Sequence, residues 1–305
     1  MSHLNGVRRT INASVGPVGR RRGVFATLAL AMSLANAAPL AAQNPAPKDA
    51  PTVTPKDTAN KAQITTLFTY RDALLAGGFA VLTVIMFPAD RAIARHLTDS
   101  SLTTNRFLNH SANGVEVITA PGAYIIGGGL YVFGRVSKKP NVADLGWHGL
   151  ESVVLATAIT GVLKGTMGRA RPFVSSDTNP TDFRLGGGFG NSNRQSFPSG
   201  HTTTAFAVAS SITSETRRLH PVYVKFVAPV LYGGATLVGL SRMYHNKHWA
   251  SDVVLGAGIG TFSGLKVVRY SHAHPHNFID RVILRTAVAP DGQGGVALGF
   301  NLPAP

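Results

Sequence analysis

The sequence predicts an all-α protein, a bundle of about six core helices in water or in a membrane. Six apolar segments support this prediction, because most exceed strand length, contain Ala and Leu, and end at Pro, Gly or basic residues. They are also rich in Gly, Ala, Ser and Thr, which lets helices pack closely. The segments are 72–88, 115–135, 147–163, 201–214, 222–240 and 253–268.

The N-terminal residues 1–42 have the order of a secretory signal peptide. Residues 1–22 are basic, residues 23–42 are apolar and Ala-rich, and Ala35-Asn36-Ala37 or Leu40-Ala41-Ala42 offers a small-residue cleavage site. We therefore expect export; an uncleaved anchor is the alternative, because the apolar run approaches spanning length. Residues 43–62 contain four prolines and few large apolar side chains, a composition typical of a disordered linker.

The rest of the chain divides into a bundle domain and a tail. We expect the helical-bundle domain over 63–280 and a C-terminal tail over 281–305. The tail alternates weakly in hydrophobicity around Asp291-Gly292, which predicts a short β-like hairpin.

Basic residues indicate how the bundle would lie in a membrane. Lys138-Lys139, Arg217-Arg218 and Arg269 fall in alternate connections, on the side that the positive-inside rule makes cytoplasmic. A cleaved signal leaves the mature N-terminus outside, whereas six spans require it inside. We therefore expect an exported, membrane-associated bundle of the cell envelope with fewer than six spans. A soluble periplasmic bundle is the alternative.

Composition excludes several classes of chemistry. The chain has no cysteine, so it forms no disulfide, zinc–thiolate site or thiol nucleophile. The net charge of +15 suits a phosphate-bearing partner, but aromatic residues do not alternate with Lys and Arg as base-stacking platforms require. We therefore expect no nucleic-acid partner, and expect phosphate on a small molecule or at a lipid membrane surface.

Two clusters of residues could bind an anion. Lys164 and Arg171 are two helical turns apart at the end of the third apolar segment, so both can lie on one helix face. Ser199, Gly200 and His201 open the fourth segment, where backbone N–H groups at a helix N-terminus bind anions well. An ordinary basic helix end and an ordinary N-cap are the alternative interpretations.

A third cluster joins the fifth and sixth segments. His248 and Asp252 are four residues apart, so on a helix the carboxylate can accept the ring N–H and leave the other nitrogen nucleophilic. Arg242 could hold an anion at the same place. A structural His–Asp pair is one alternative, and a metal site that adds His245 is another.

Taken together, the clusters match the needs of phosphoryl transfer. The reaction requires cations and donors on the phosphoryl oxygens, an in-line nucleophile and a proton for the leaving group. His248 with Asp252 supplies the nucleophile, and His201 supplies the acid. The candidate phosphate-binding residues are Lys164, Arg171, Ser199, Gly200 and Arg242.

These residues resemble the three signature motifs of the type 2 phosphatidic acid phosphatase superfamily. The resemblance spans about 70–270 and includes Lys164…Arg171-Pro172, Pro198-Ser199-Gly200-His201 and Ser241-Arg242…His248…Asp252. It implies an all-α bundle with the active site at one end. It also implies a phosphatase without a metal or other cofactor, in which His248 forms a phosphohistidine, Asp252 orients its ring and His201 protonates the leaving group and then activates water. The implied substrate is a phosphorylated lipid or a small phosphoester.

Two other functions also fit the sequence. The same superfamily includes vanadium-dependent haloperoxidases, in which His248 would ligate vanadate. A non-enzymatic envelope protein could use the same bundle, but such a protein would be expected to lose an ionisable motif residue, and none is lost here.

Overall fold

The computed structural model describes residues 68–99, 103–117, 119, 121–174, 179–275, 277–283, 287–290 and 296–299. All of them fall within one compact unit, residues 62–305. The predicted signal peptide at 1–42 and the predicted linker at 43–62 lie outside the described residues.

Eight α-helices lie in the described part of the chain, and the all-α prediction is confirmed. Three short 3-10 turns (Pro172–Val174, Ser192–Arg194 and Pro221–Tyr223) connect some of them. The helices are α1 (Tyr70–Leu97), α2 (Arg106–Val117), α3 (Gly122–Val136), α4 (Pro140–Met167), α5 (Gly200–Leu219), α6 (Val224–Tyr244), α7 (Ala250–Ala273) and α8 (Phe278–Ile283).

The helix predictions were wrong at two prolines. The first helix continues through Pro88 to Leu97, since a proline in a long helix removes one hydrogen bond without ending the element. The predicted helix at 115–135 is instead two helices, α2 and α3, with Pro121 at the start of the second. Proline disfavours helical geometry in the residue before it, which explains a break at this point.

Helices α4, α5 and α7 form the centre of the bundle. A stripe of glycines on α7 lets it approach α5: a Cβ on Gly260 would lie 2.3 Å from the carbonyl oxygen of Thr203, and one on Gly264 would lie 2.6 Å from Cβ of Ser210. Small residues continue into the core, where Ala156 of α4 and Ala207 of α5 are fully buried. Close backbone contact therefore fixes the relative positions of the helix ends that carry the candidate site.

The outer surface of the bundle suits lipid. Among the described residues, four helical segments are long and apolar enough to cross a membrane: Tyr70–Leu97, Pro140–Met167, Pro221–Tyr244 and Ala250–Ala273. Large apolar side chains on the first three face outward, and Val81, Val162 and Val230 are each at least 60% exposed. Such a surface is costly in water and stable against hydrocarbon.

The C-terminal tail contains two short strands. Ala287–Pro290 (β1) pairs antiparallel with Val296–Gly299 (β2), in a register that sets Ala287 opposite Gly299. The predicted turn at Asp291-Gly292 lies outside the described residues.

Candidate active site

The predicted site residues meet at one end of the three central helices. Lys164 lies in the last turn of α4, His201 in the first turn of α5, and Asp252 in the first turn of α7. Gly168 ends α4 in the left-handed conformation that favours glycine, and the chain turns there into the segment that carries Arg171.

His248 is held by a backbone carbonyl. Its Nδ1 lies 2.7 Å from the carbonyl oxygen of Ser196, and the side chain is buried. A carbonyl oxygen only accepts hydrogen bonds, so Nδ1 carries the proton and Nε2 presents a lone pair. The tautomer that a nucleophile needs is therefore fixed by Ser196, a residue that the sequence analysis did not single out.

Asp252 acts on His248 less directly than its spacing predicted. Its Oδ2 lies 3.6 Å from Nδ1 of His248, beyond hydrogen-bond distance. The same oxygen accepts hydrogen bonds from the hydroxyl of Ser196 at 2.5 Å and from the backbone N–H of Trp249 at 2.8 Å. Asp252 thus holds the residue that holds His248, and it also caps the N-terminus of α7.

Arg169, which the sequence analysis missed, organises the interior of the site. Its guanidinium is fully buried and donates to Oδ1 of Asp252 at 2.5 Å, Oδ2 of Asp90 at 2.7 Å and the hydroxyl of Ser251 at 2.7 Å. It also donates to the carbonyl oxygen of Pro180 at 2.6 and 2.8 Å. Rings from four parts of the chain lie 4.7–5.8 Å from the guanidinium carbon: Phe87, Phe183, Phe197 and Trp249.

Arg171, two residues further on, faces outward instead. It is half-buried, and its guanidinium donates to the carbonyl oxygens of Ser192 at 2.9 Å and Lys247 at 3.4 Å. It lines an open cleft of about 380 Å³ together with Phe173, Ser192, Asn193, Arg242 and Lys247. Among the described charged groups that line this cleft, all are cations, so the cleft suits an anion.

Arg242 reaches the cleft from the end of α6 with a carboxylate behind it. Glu116 of α2 accepts from its guanidinium and also bonds Nδ1 of His245 at 2.7 Å and the hydroxyl of Ser241 at 3.2 Å. Nε of Arg242 is buried and has no hydrogen-bond partner among the described residues. Glu116 therefore binds three residues of the third motif region, Ser241, Arg242 and His245.

His201 is surrounded mostly by positive charge. Burial first, and then the charges of Arg242, Lys164 and Arg171, lower the pKa of His201 to about 4, while Glu116 opposes the shift. Burial, with Lys164 and Arg171, also lowers the pKa of His248 to about 3 although Asp252 opposes it. Both rings are therefore neutral near pH 7 before an anion binds.

The other predicted phosphate-binding residues lie at the same end of the bundle, but they differ in burial and in their contacts. Nζ of Lys164 donates to the carbonyl oxygen of Gln195 at 2.5 Å. Ser199 caps α5 but is fully buried, with its hydroxyl 2.8 Å from that of Thr202, so it lies beneath the surface of the site. A Cβ on Gly200 would lie 3.6 Å from Cε of Lys164, so glycine leaves room beside that chain.

The alternative metal site at this end is not formed by the described residues. His245 turns to Glu116 and does not join His248 and Asp252. The groups of His, Asp and Glu with metal-ligand spacing in the described part of the chain lie elsewhere, around His148.

Two kinds of signal separate the residues that were found from those that were missed. The residues that were found, and the missed Arg169 and Ser196, fall in or beside dense local motifs. Asp90 and Glu116 lie 79 and 126 positions from the arginines they bind. A carboxylate in or beside an apolar segment is the only sequence signal they give, and it does not identify the partner.

Comparison with known proteins identifies similar phosphatases. Residues 145–275 match the model of the PAP2 superfamily, which confirms the predicted resemblance to type 2 phosphatidic acid phosphatases. The chain is 31% identical to a lipid A 1-phosphatase of Rhizobium etli over 153 residues, which are 50% of this chain and 57% of that protein. It is 44% identical to a lipid A 1-phosphatase of Porphyromonas gingivalis over 69 residues, 23% of this chain and 15% of that protein.

A solved structure shares the fold. The transmembrane PAP2 type phosphatidylglycerolphosphate phosphatase of Bacillus subtilis aligns with a TM-score of 0.50 and 24% identity, covering 67% of this chain and 97% of that one.

Proposed function

We propose that this chain, whose region 145–275 matches the PAP2 superfamily, is a phosphatase that removes phosphate from a membrane lipid through a phosphohistidine on His248. The observation that carries the proposal is the pairing of a fixed tautomer with a cationic cleft. Nδ1 of His248 bonds the Ser196 carbonyl, which frees Nε2, and Arg171 and Arg242 line a cleft together with Lys247, the residue before His248.

The first chemical step forms a P–N bond and breaks a P–O bond. The lone pair on Nε2 of His248 attacks phosphorus while the phosphoryl oxygens lie against Arg171, Arg242 and Lys164. The electron pair of the broken bond leaves with the alkoxide oxygen of the lipid. A proton from His201 neutralises that oxygen, so the lipid departs as an alcohol.

The second step returns the histidine to its starting state. His201, now neutral, takes a proton from water, whose oxygen attacks phosphorus and breaks the P–N bond. Inorganic phosphate is released and Nε2 regains its lone pair. The low pKa of His201 in the site without ligand fits this cycle, because bound phosphate brings the negative charge that makes protonation favourable.

A lipid is the favoured substrate class. Four helical segments are long and apolar enough to cross a membrane, and two relatives are named lipid A 1-phosphatases. We therefore place lipid A 1-phosphate first among the candidates. Preference for a soluble phosphate monoester over every lipid phosphate would contradict a lipid function.

The test is a substrate panel on the purified full chain in detergent. We expect phosphate release from lipid A carrying a 1-phosphate to exceed that from phosphatidate, polyprenyl diphosphate and a chromogenic monoester. His248→Ala should lose about 10²–10⁴-fold or more in turnover. Near wild-type turnover by His248→Ala would contradict the mechanism, and halide oxidation with vanadate and peroxide would contradict the reaction class.

A further inference from the structure

A second polar cluster lies at the opposite end of the same central helices. His148 lies 16 residues before Lys164 on α4, about 24 Å along the helix. His272 lies 20 residues after Asp252 on α7, about 30 Å along that helix. Glu215 adds a carboxylate from the end of α5. The cluster is therefore separate from the proposed active site.

His148 is buried with one ring nitrogen bonded and the other without a partner. Its Nδ1 lies 2.7 Å from Oε1 of Glu215, and only 2% of the side chain is exposed. Its Nε2 has no hydrogen-bond partner among the described residues and lies 3.7 Å from Oδ2 of Asp280. Because Glu215 accepts the proton of Nδ1, Nε2 is the ring nitrogen that remains to bind a cation, which would take the place of a proton there.

Two carboxylates converge on that nitrogen. Glu151 lies three residues after His148, on the same face of α4, and its Oε2 is also buried without a partner in the described part of the chain. Asp280 belongs to α8. Trp147 of α4 donates to its Oδ1 at 3.1 Å, and Asn277 donates to its Oδ2 at 2.6 Å. One ligand atom each from His148, Glu151 and Asp280 lies within 4.8 Å of the others.

We propose that His148, Glu151 and Asp280 bind a divalent transition-metal cation, with Zn²⁺ as its type. Imidazole and carboxylate ligands at about 2.0–2.2 Å from one ion stand about 3–4 Å apart, and Nε2 of His148 is 3.7 Å from Asp280. In the apolar interior of a bundle, a ring nitrogen and two carboxylates are stable this close together only if a cation or a proton lies between them.

Glu215 would support this site without touching the ion, by accepting a hydrogen bond from the histidine that binds it. A carboxylate that accepts the second ring N–H of a metal-bound histidine fixes its tautomer and raises its basicity. Glu215 is saturated in that role, since Nε2 of His272 lies 2.7 Å from its Oε1 and Arg218 donates to its Oε2 at 3.0 Å. Bundle metal sites are commonly built from such i, i+3 histidine–carboxylate pairs on facing helices.

The ion would fasten the C-terminal segment to the bundle. Asp280 belongs to α8, a helix of six residues that follows α7, whereas His148 and Glu151 belong to α4. A shared cation ties these elements together at the end away from the phosphate cradle. We therefore assign it a stabilising role there.

The experiment uses the full chain in detergent, without a histidine tag and stripped with a chelator. Equilibrium dialysis against ZnCl₂ should give one zinc per chain by elemental analysis, and Co²⁺ should give the visible absorption of a nitrogen- and oxygen-ligated site. Glu151→Gln and Asp280→Asn, which change no side-chain volume, should weaken Zn²⁺ binding at least tenfold. Glu215→Gln should weaken it about 10–100-fold as an outer ligand.

His274→Ala is the matched control, because this histidine is exposed, stacks on Tyr270 and lies two residues from His272. It should bind zinc as the wild type does. Equal loss in His274→Ala would mean an adventitious histidine site and would overturn the proposal. So would the absence of stoichiometric zinc in the folded wild type, or unchanged zinc affinity in both Glu151→Gln and Asp280→Asn, with circular dichroism reporting folding.

Discussion

The two ends of the central bundle place histidines in opposite surroundings. At one end His201 lies among Lys164, Arg171 and Arg242. Burial first, and then the charges of these cations, lower the pKa of His201 to about 4. At the other end His148 lies between the carboxylates of Glu215 and Asp280. The bundle therefore carries a cationic cleft at one end and a cluster of buried carboxylates around a histidine at the other.

This difference indicates the kind of ligand that each end of the bundle suits. Histidine by itself serves as nucleophile, acid or metal ligand. Guanidinium and ammonium groups around it favour a phosphate, whereas carboxylates favour a cation. Each prediction below alters the charge or the support at the cationic end, in order of expected effect.

The largest effect should come from removing a cation that lines the cleft. Arg171→Gln keeps a polar side chain, and the arginine it replaces donates only to backbone carbonyls among the described residues. We expect kcat/KM to fall about 10²–10³-fold, since a positioned donor to the transition state is lost. Steady-state phosphate release measures this.

Arg217→Gln is the matched control for this prediction. Arg217 is exposed near the C-terminal end of α5, at the other end of the bundle, so the substitution removes the same charge away from the cleft. Its kcat/KM should change less than about twofold, because exposed charges separated by more than a Debye length are screened. Equal losses in both variants would attribute the effect to net charge.

A second prediction contrasts Arg169 with Arg171. Arg169→Ala leaves Asp90 and Asp252 buried without their shared cation, so we expect about 3–5 kcal/mol of lost stability, seen in thermal unfolding. Arg169→Lys should recover part of this loss, because lysine keeps the charge but not the planar fork. A Tm for Arg169→Ala equal to that of Arg171→Gln would remove the distinction between the two arginines.

The smallest effect concerns the pH profile. His201 must carry a proton to act as the acid, so kcat/KM should fall as the pH rises past the pKa of this group. Glu116 raises that pKa, against burial and the neighbouring cations. Glu116→Gln should therefore move the basic limb to lower pH, by about one unit or less. A shift to higher pH would contradict the assignment of the limb to His201.

The reach of sequence reasoning can be judged from particular residues. His248, Asp252 and Arg242 fall within eleven positions, so their nearness in the sequence was enough to group them in one candidate cluster. Asp90 and Glu116 could not be paired with their arginines in this way, because their contacts depend on how α1 and α2 pack against the rest of the bundle. The split at Pro121 was missed because apolar residues continue on both sides of it.

By itself, the sequence determined the helical class, the three motif clusters and the chemistry that they suit, because each depends on residue type and local spacing. Only the tertiary structure decided that the carbonyl of Ser196 accepts the His248 proton while Asp252 lies 3.6 Å away. It also brought His148 and Asp280, 132 positions apart, to 3.7 Å. Contacts between distant segments follow from side-chain packing across the whole bundle, which local patterns do not encode.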